Sequence, residues 1–344
     1  MKLIRTEDAV GHVLCHDLTR IVKDVTKDAP FRKGHVVTAE DIPMLLSMGK
    51  ENLYVWEKQE GMLHEDEAAE ILYDICAGEH MRASEIKEGK IEVIADCDGL
   101  LLVDSERLYR VNSLGEMMIA TRHSGFPVAK GDKLAGTRVI PLVIEAAKME
   151  EARAAAGGKP LLSLLPFTKK KAGIVTTGNE VYSGLIEDTF SQVIVDKLAE
   201  YGTEVVKKIM LPDAPEEITA AISSLILDGV DMVFCTGGMS VDPDDRTPLA
   251  IKNTGAEVIS YGSPVLPGAM FMLAYQDGLH GRVPIAGLPG CVMYAKRTIF
   301  DLVLPRLIAG TPVTAAWLAS LGHGGFCLNC DTCTYPNCGF GKGV

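Results

Sequence analysis

Positive charge is in deficit in this sequence of 344 residues: Lys plus Arg number 34 against 46 Asp plus Glu, a formal net charge of −12. That balance excludes non-specific binding to nucleic acid or to anionic lipid, although a small anionic ligand held by local donors remains compatible with it. Long apolar runs are also missing. None reaches the roughly 18 residues of a membrane span, and Met1 to Val10 lacks the apolar core of a signal peptide, so the expected address is the cytoplasm. Aromatic residues are scarce, at 6%. No G-x-G-x-x-G follows a strand-like run and no G-x-x-x-x-G-K-[ST] occurs. The terminal Gly339-Phe-Gly-Lys-Gly343 has neither the spacing nor the hydroxyl, which weakens dinucleotide and ordinary nucleoside-triphosphatase readings.

What is present is globular. Apolar residues make up 47% and charged residues 23%, and the length predicts two or three domains with real cores. Nine cysteines are an odd count. Cys15, Cys76, Cys97, Cys235 and Cys291 are scattered singly, as reduced thiols would be, whereas four crowd into the last eighteen residues.

The pattern changes along the chain, giving four expected parts. Residues 1–58 form an N-terminal accessory domain, with a helix-like stretch from Thr38 to Met48 and a strand over Asn52–Trp56. Residues 59–160 form a mostly β accessory or linker domain. In it an amphipathic helix carries Ala68, Ile71, Leu72 and Ile75, followed by short β-like runs that include Tyr109-Arg-Val111, then a helix from Ala146 to Ala156 ended by glycines and Pro160. Residues 161–313 alternate differently: apolar runs at 172–176, 205–206 and 231–235 are separated by helices over 189–201 and 215–227. A further run at 283–286 leads into a helix from near Cys291 to Leu307. This β-α-β-α-β order predicts an α/β fold with a parallel sheet and right-handed crossovers. Residues 314–344 are a cysteine-rich tail.

Three of the apolar runs end in a glycine-bearing loop: Thr176-Thr-Gly-Asn-Glu180, Thr236-Gly-Gly-Met-Ser240 and Gly287-Leu-Pro-Gly290. In open α/β sheets the ligand crevice lies outside the carboxyl ends of the strands, so these loops are expected to line one pocket. Glycine lets the backbone approach a ligand, and N–H groups at the following helix starts suit phosphate or an oxyanion. Tight turns required by any doubly wound sheet are the plainer explanation.

The second loop continues as Val241-Asp-Pro-Asp-Asp-Arg-Thr-Pro248, with three carboxylates and a guanidinium. Clustered carboxylates repel unless a hard cation such as Mg²⁺ or a hydrogen-bond donor compensates, and Arg246 can fork onto a phosphate. Asp245 is equally suited to cap a helix starting at Thr247-Pro248. Glu180 and Asp188 flank the first loop as candidate metal ligands or bases, or as helix-dipole partners. Lys169-Lys-Lys171 reads as a solvated face.

Taken together and in order, Thr177-Gly-Asn-Glu180, Thr236-Gly-Gly-Met-Ser240 with Asp245, Pro267-Gly268 and Leu288-Pro-Gly290 resemble the molybdopterin-binding fold of molybdopterin molybdenumtransferases, adenylyltransferases and gephyrin. Phe31 through Trp56 and Val128 through Leu142 look like portions of the transferase's accessory domains. The resemblance implies an α/β parallel-sheet molybdopterin-binding domain with smaller, mostly β accessory domains. It also implies insertion of molybdate into adenylated molybdopterin, with Mg²⁺-assisted phosphate cleavage in a homodimer whose crevice the partner's accessory domain completes. By motif match it places Asp245, Glu180 and Asp188 in catalysis. Thr177, Gly178, Gly237, Gly238, Ser240, Arg246, Pro267, Gly268, Pro289 and Gly290 would contact molybdopterin, and Asp242 with Asp245 would hold Mg²⁺. Ala269 stands where the family often has Lys, Cys291 and Phe190 where Asn is common, and no Ser-x-Met-Asp-Gly-Tyr occurs, with His16-Asp17 in a roughly comparable place. Two other functions remain open: a non-catalytic molybdopterin carrier or redox sensor, and a nucleotide pyrophosphatase of the competence-damage type.

Cys327, Cys330, Cys333 and Cys338 make a C-x2-C-x2-C-x4-C run. The first spacings resemble those of a ferredoxin-type 4Fe–4S site. Four thiolates at short spacing also suit tetrahedral Zn²⁺, and free thiols are the third possibility.

Overall fold

The computed structural model describes residues 2–22, 26–55, 60–240, 242–243 and 245–343; Trp56, Val241 and Asp244 lie outside the described residues. Contacts divide the chain into two compact units. The first takes residues 1–96, 103–122 and 131–163; the second takes 97–102, 123–130 and 164–344.

In the first unit, Lys2–Arg5 pairs antiparallel with Asn52–Val55 beside the hairpin of Leu18–Val22 and Thr26–Phe31. Ala9, Leu14, Phe31, Leu45 and Leu53 form a small core there. The helix expected from Thr38 is shorter, Ile42–Ser47. Asp41 is drawn into a turn instead, accepting hydrogen bonds from the N–H of Thr38 (2.8 Å) and pairing with His35 Nε2 (2.7 Å). Such local side-chain bonds compete with helix formation.

An amphipathic helix follows over Glu65–Cys76, opened by a capping box of His64 and Glu67 and burying Ala68, Ala69, Leu72 and Ile75. A four-stranded antiparallel sheet runs in the order Met81–Ala83, Lys90–Ala95, Lys133–Val139, Met117–Thr121. Tyr109–Val111, expected as a strand, is helical within Ser105–Asn112. The physical reason is at its start: the Asp104 carboxylate accepts the Arg107 N–H at 2.9 Å and so satisfies an otherwise orphaned helix donor. The Arg107 guanidinium then donates to the carbonyls of Ala156, Lys159 and Pro160. Those bonds tie it to the end of the helix Ala146–Ala156, which forms over the expected residues.

The second unit is built on a six-stranded sheet. Its strands are β1 (Lys171–Thr177), β2 (Glu204–Leu211), β3 (Met232–Thr236), β4 (Glu257–Tyr261), β5 (Met272–Gly278) and β6 (Gly281–Leu288), in the spatial order β2-β1-β3-β6-β5-β4. β1, β2, β3 and β6 are parallel, as the alternating pattern requires, and β4 and β5 complete the sheet antiparallel. The last two strands are additions to the sequence expectation. Helices α1 (Phe190–Ala199), α2 (Pro215–Leu227), α3 (Thr247–Asn253) and α4 (Ile299–Ile308) accompany them.

β3 is buried at every position, which explains its unbroken apolar run: a central parallel strand has both faces covered. One face packs on Ile194, Phe271, Phe300 and Val303, the other on Ile222, Leu225 and Ile251. The helix expected from Cys291 begins later. Gly290–Met293 is a single 3₁₀ turn, and α4 starts after Thr298, where Thr298 Oγ1 accepts the Phe300 N–H (3.2 Å) and Asp301 Oδ2 accepts the Thr298 N–H (2.8 Å). This capping box sets the helix start more strongly than the apolar pattern before it.

Candidate functional site

Register decides where the three glycine loops go. Thr176 of β1 lies opposite Thr236 of β3, and Thr236 lies opposite Leu288 of β6, so the three parallel strands end level with one another. Gly178, Gly237-Gly238 and Pro289-Gly290 therefore leave the same edge of the sheet. The antiparallel pair β4–β5 adds a fourth segment. Met272, at the start of β5, pairs with both Gly287 and Tyr261, which puts the 262–271 loop with Pro267-Gly268 at that edge too.

Threonine hydroxyls knit the rim together. Thr236 Oγ1 donates to Thr176 Oγ1 (3.4 Å), which donates to Asp188 Oδ2 (3.2 Å). Thr177 Oγ1 and Thr247 Oγ1 are 3.1 Å apart, and Thr247 Oγ1 donates to the Gly237 carbonyl at 2.9 Å. The glycine at 237 is required by space: at φ +82° a Cβ there would stand 2.0 Å from the Thr177 carbonyl oxygen. No larger residue lets the first and second loops approach so closely.

Asp245 folds the second loop. Its Oδ2 accepts the Ser240 N–H at 2.7 Å while its own N–H donates to the Asp242 carbonyl at 3.0 Å. The option that it caps α3 is corrected, because the residue at that cap position is Arg246, whose side chain makes no capping hydrogen bond, and the Asp245 carboxylate is turned to Ser240 instead. Ser240, Asp242 and Arg246 are exposed. Asp188, expected as a ligand or base, is occupied on both oxygens, since Oδ1 accepts the Ser191 N–H (3.0 Å) at the start of α1. Glu180 is exposed on the short helix Asn179–Tyr182. Burial pushes the Cys291 thiol above its ordinary range, which keeps it protonated and a poor nucleophile.

Two contributors escaped the sequence reading. Thr247 was visible only as a helix start, and its hydroxyl bridge depends on β1 lying beside β3. Tyr261 directs its hydroxyl at the carbonyls of Met239 (3.4 Å) and Ser240 (3.5 Å), bracing the second loop from β4. No sequence signal marks it, because only the pairing of β4 with β5 brings it to this loop.

His16 and Asp17 belong to the first unit. Asp17 accepts the Lys33 N–H (2.8 Å) and pairs with Arg32 (2.9 Å), while burial lowers the pKa of His16. At the opposite end of the sheet a cavity of about 690 Å³ opens between the starts of β4 and β6 and the segment after α4. It contains none of the glycine loops. Among the described residues no helix is long and apolar enough to cross a membrane.

Comparison with known families bears on this rim directly. Residues 173–309 match the profile of a probable molybdopterin binding domain. The matched domain begins inside β1 and ends just past α4, so it contains all four rim segments. Residues 3–57 match a domain of unknown function (DUF8806). CinA-like proteins of Mycobacterium sp. (strain MCS) and Mycobacterium avium (strain 104) are 36% and 38% identical over 90 residues, 26% of this chain. That stretch spans only 21% of the length of those relatives. Among solved structures, the molybdopterin biosynthesis enzyme MoaB from Thermus thermophilus is similar at 20% identity with a TM-score of 0.33, covering 42% of this chain and 98% of that one. The CinA protein from Thermoplasma acidophilum is similar at 18% identity with a TM-score of 0.32, covering 40% and 98%.

Proposed function

We propose that the crevice of the matched domain binds molybdopterin through its phosphate, and that the protein acts in molybdenum cofactor biosynthesis by placing molybdate on adenylated molybdopterin and cleaving the nucleotide phosphate. The observation that carries the reading is the level ending of β1, β3 and β6, which brings three glycine loops to one edge of the sheet.

Each residue then has a physical task. Gly237 and Gly238 bring backbone within reach of the phosphate, and the Ser240 hydroxyl and the Arg246 guanidinium hydrogen-bond its oxygens. Mg²⁺ takes one or two carboxylates and completes its shell with phosphate and water, so the exposed Asp242 and the pre-oriented Asp245 fit it. Bound there, the ion would screen the charge of the anionic substrates. Glu180, exposed at the first loop, is the carboxylate placed to contact the substrate or a water. Asp188 acts as a positioning residue that holds Thr176 and α1. Molybdopterin, adenylated molybdopterin and molybdate are the substrates, and a second copy of the chain would complete the crevice as a homodimer.

The similarity to CinA-like proteins over 90 residues favours one second reading, cleavage of a nucleotide pyrophosphate at the same rim. Anaerobic incubation with adenylated molybdopterin plus molybdate, and separately with ADP-ribose, distinguishes the two. Molybdenum retained on the pterin with release of the nucleotide supports insertion. Turnover of ADP-ribose alone supports the pyrophosphatase, and pterin retention without turnover of either supports a carrier.

A further inference from the structure

Four cysteines at the end of the chain line one void. Cys327, Cys330, Cys333 and Cys338 all line a cavity of about 250 Å³, together with Lys296 and Arg297 from the segment before α4. Sequence spacing suggests a metal site of some kind; the structure adds the shape of the hole and what frames it.

The frame is held by contacts that need no metal. The Leu266 N–H donates to the Gly325 carbonyl (2.9 Å), and the Cys327 N–H donates to the Leu266 carbonyl (2.8 Å), pairing the start of the tail with the residue before Pro267-Gly268. Lys296 Nζ donates to the carbonyls of Cys330 (3.1 Å) and Asp331 (2.7 Å). Tyr335 donates its hydroxyl to the Asp301 carbonyl (3.0 Å), and its ring lies under the Arg297 guanidinium at 4.8 Å. Phe340 is buried in the core of the unit.

A single Zn²⁺ draws four sulfurs to about 2.3 Å from one point, which closes the space between them. Among the described residues no three Cys, His, Asp or Glu side chains form a ready site for a single metal ion, whereas the four cysteines line one common void. A polynuclear cluster distributes its ligands in that way, one thiolate to each iron, around a body with volume of its own. Cysteine-ligated clusters are anionic, and Lys296 and Arg297 supply positive charge at the wall.

We propose that Cys327, Cys330, Cys333 and Cys338 hold a 4Fe–4S cluster in this void, walled by Lys296 and Arg297 and next to the backbone pairing of Cys327 with Leu266. This assignment does not depend on what the crevice binds.

The test is metal and sulfide analysis of the full-length protein isolated anaerobically, and of the same protein incubated anaerobically with equal amounts of ferrous and ferric iron and with sulfide, which together supply the two ferrous and two ferric irons of the core. About four iron atoms and about four sulfide ions per chain are expected, with the broad visible absorption of iron–sulfide charge transfer. Cys330 and Cys333 are exposed, so Cys330→Ser and Cys333→Ser are expected to keep the thermal unfolding profile while losing iron and sulfide. Cys97→Ser is expected to retain both. Alkylation mapped by mass spectrometry on the unsubstituted protein gives a readout independent of variant folding: the four tail thiols are protected when loaded and reactive after chelation. About one zinc per chain without sulfide, unchanged iron in the tail variants, or equal alkylation before and after loading would each overturn the assignment.

Discussion

The carboxylate of Asp245 and the backbone N–H of Ser240 meet at 2.7 Å, closing the loop that follows β3. The bond ties together the two residues assigned to the metal and the phosphate, so loop shape and ligand chemistry are separable by substitution. Asp245→Asn keeps an oxygen that accepts the N–H but loses the charge, whereas Asp245→Ala loses both. The Asn variant is expected to unfold within about 2 °C of the unsubstituted protein and to lose the Mg²⁺ dependence of molybdopterin binding. The Ala variant is expected to cost about 1 kcal/mol as well. Titration calorimetry with and without Mg²⁺ checks this, and an Asn variant with undiminished Mg²⁺ dependence would remove Asp245 from the metal assignment.

Glycines of the rim should differ sharply in tolerance. Gly237→Ala brings a Cβ to 2.0 Å from a backbone oxygen at positive φ and is expected to cost about 2 kcal/mol or more. Gly290 has nothing within 4 Å of the corresponding position, so Gly290→Ala is expected to leave stability within about 0.5 kcal/mol. Urea denaturation of the two variants side by side measures the contrast.

Asp301 anchors a buried charge group below the rim. It is 4% exposed and accepts from Lys197 Nζ (2.6 Å), Arg297 (2.8 Å) and the Thr298 N–H (2.8 Å). Asp301→Ala would leave the largely buried Lys197 side chain, 12% exposed, without its counter-charge and α4 without half of its capping box, a loss of about 3 kcal/mol. Asp228→Ala, which breaks the exposed pair with Lys207, is expected to cost less than about 1 kcal/mol. Similar losses for the two would contradict the burial argument.

In the first unit, burial raises the pKa of Glu65 from 4.5 to about 7, with the Asp66 charge adding to the effect. The folded protein thus holds this proton to higher pH than the unfolded chain does. Stability is full below about pH 4.5 and falls as pH rises through about 7, by up to about 3 kcal/mol from this group. Glu65→Gln is expected to raise the unfolding temperature at pH 8 and to change it little at pH 4. An equal shift at both values would show that Glu65 is not the titrating group.

Local pattern foretold the elements that depend on local chemistry. α2 begins at Pro215 and ends at Leu227, and the helix over Ala146–Ala156 stops at Gly157 in the left-handed region, both on the expected residues. Tyr109–Val111 misled because three residues of mixed polarity fit either period, and the Asp104 cap that settles them lies outside the run. β4 was hidden for another reason: it is an edge strand, exposed or half-buried along its length, whereas the buried apolar run that opens β5, Met272 to Tyr275, is too short for periodicity to tell strand from helix.

By itself the sequence determined the parallel strand–helix alternation, the glycines that let loops turn tightly, and the four closely spaced cysteines, because each follows from residue type and spacing over a short stretch. Only the tertiary structure decided that β1, β3 and β6 end level, that Asp188 is spent on Thr176 and α1 while Asp245 turns back to Ser240, and that the tail closes around a void beside Leu266 and Lys296. Those outcomes depend on strand register and on which distant side chains meet, and register is set by packing across the whole sheet rather than within any one segment.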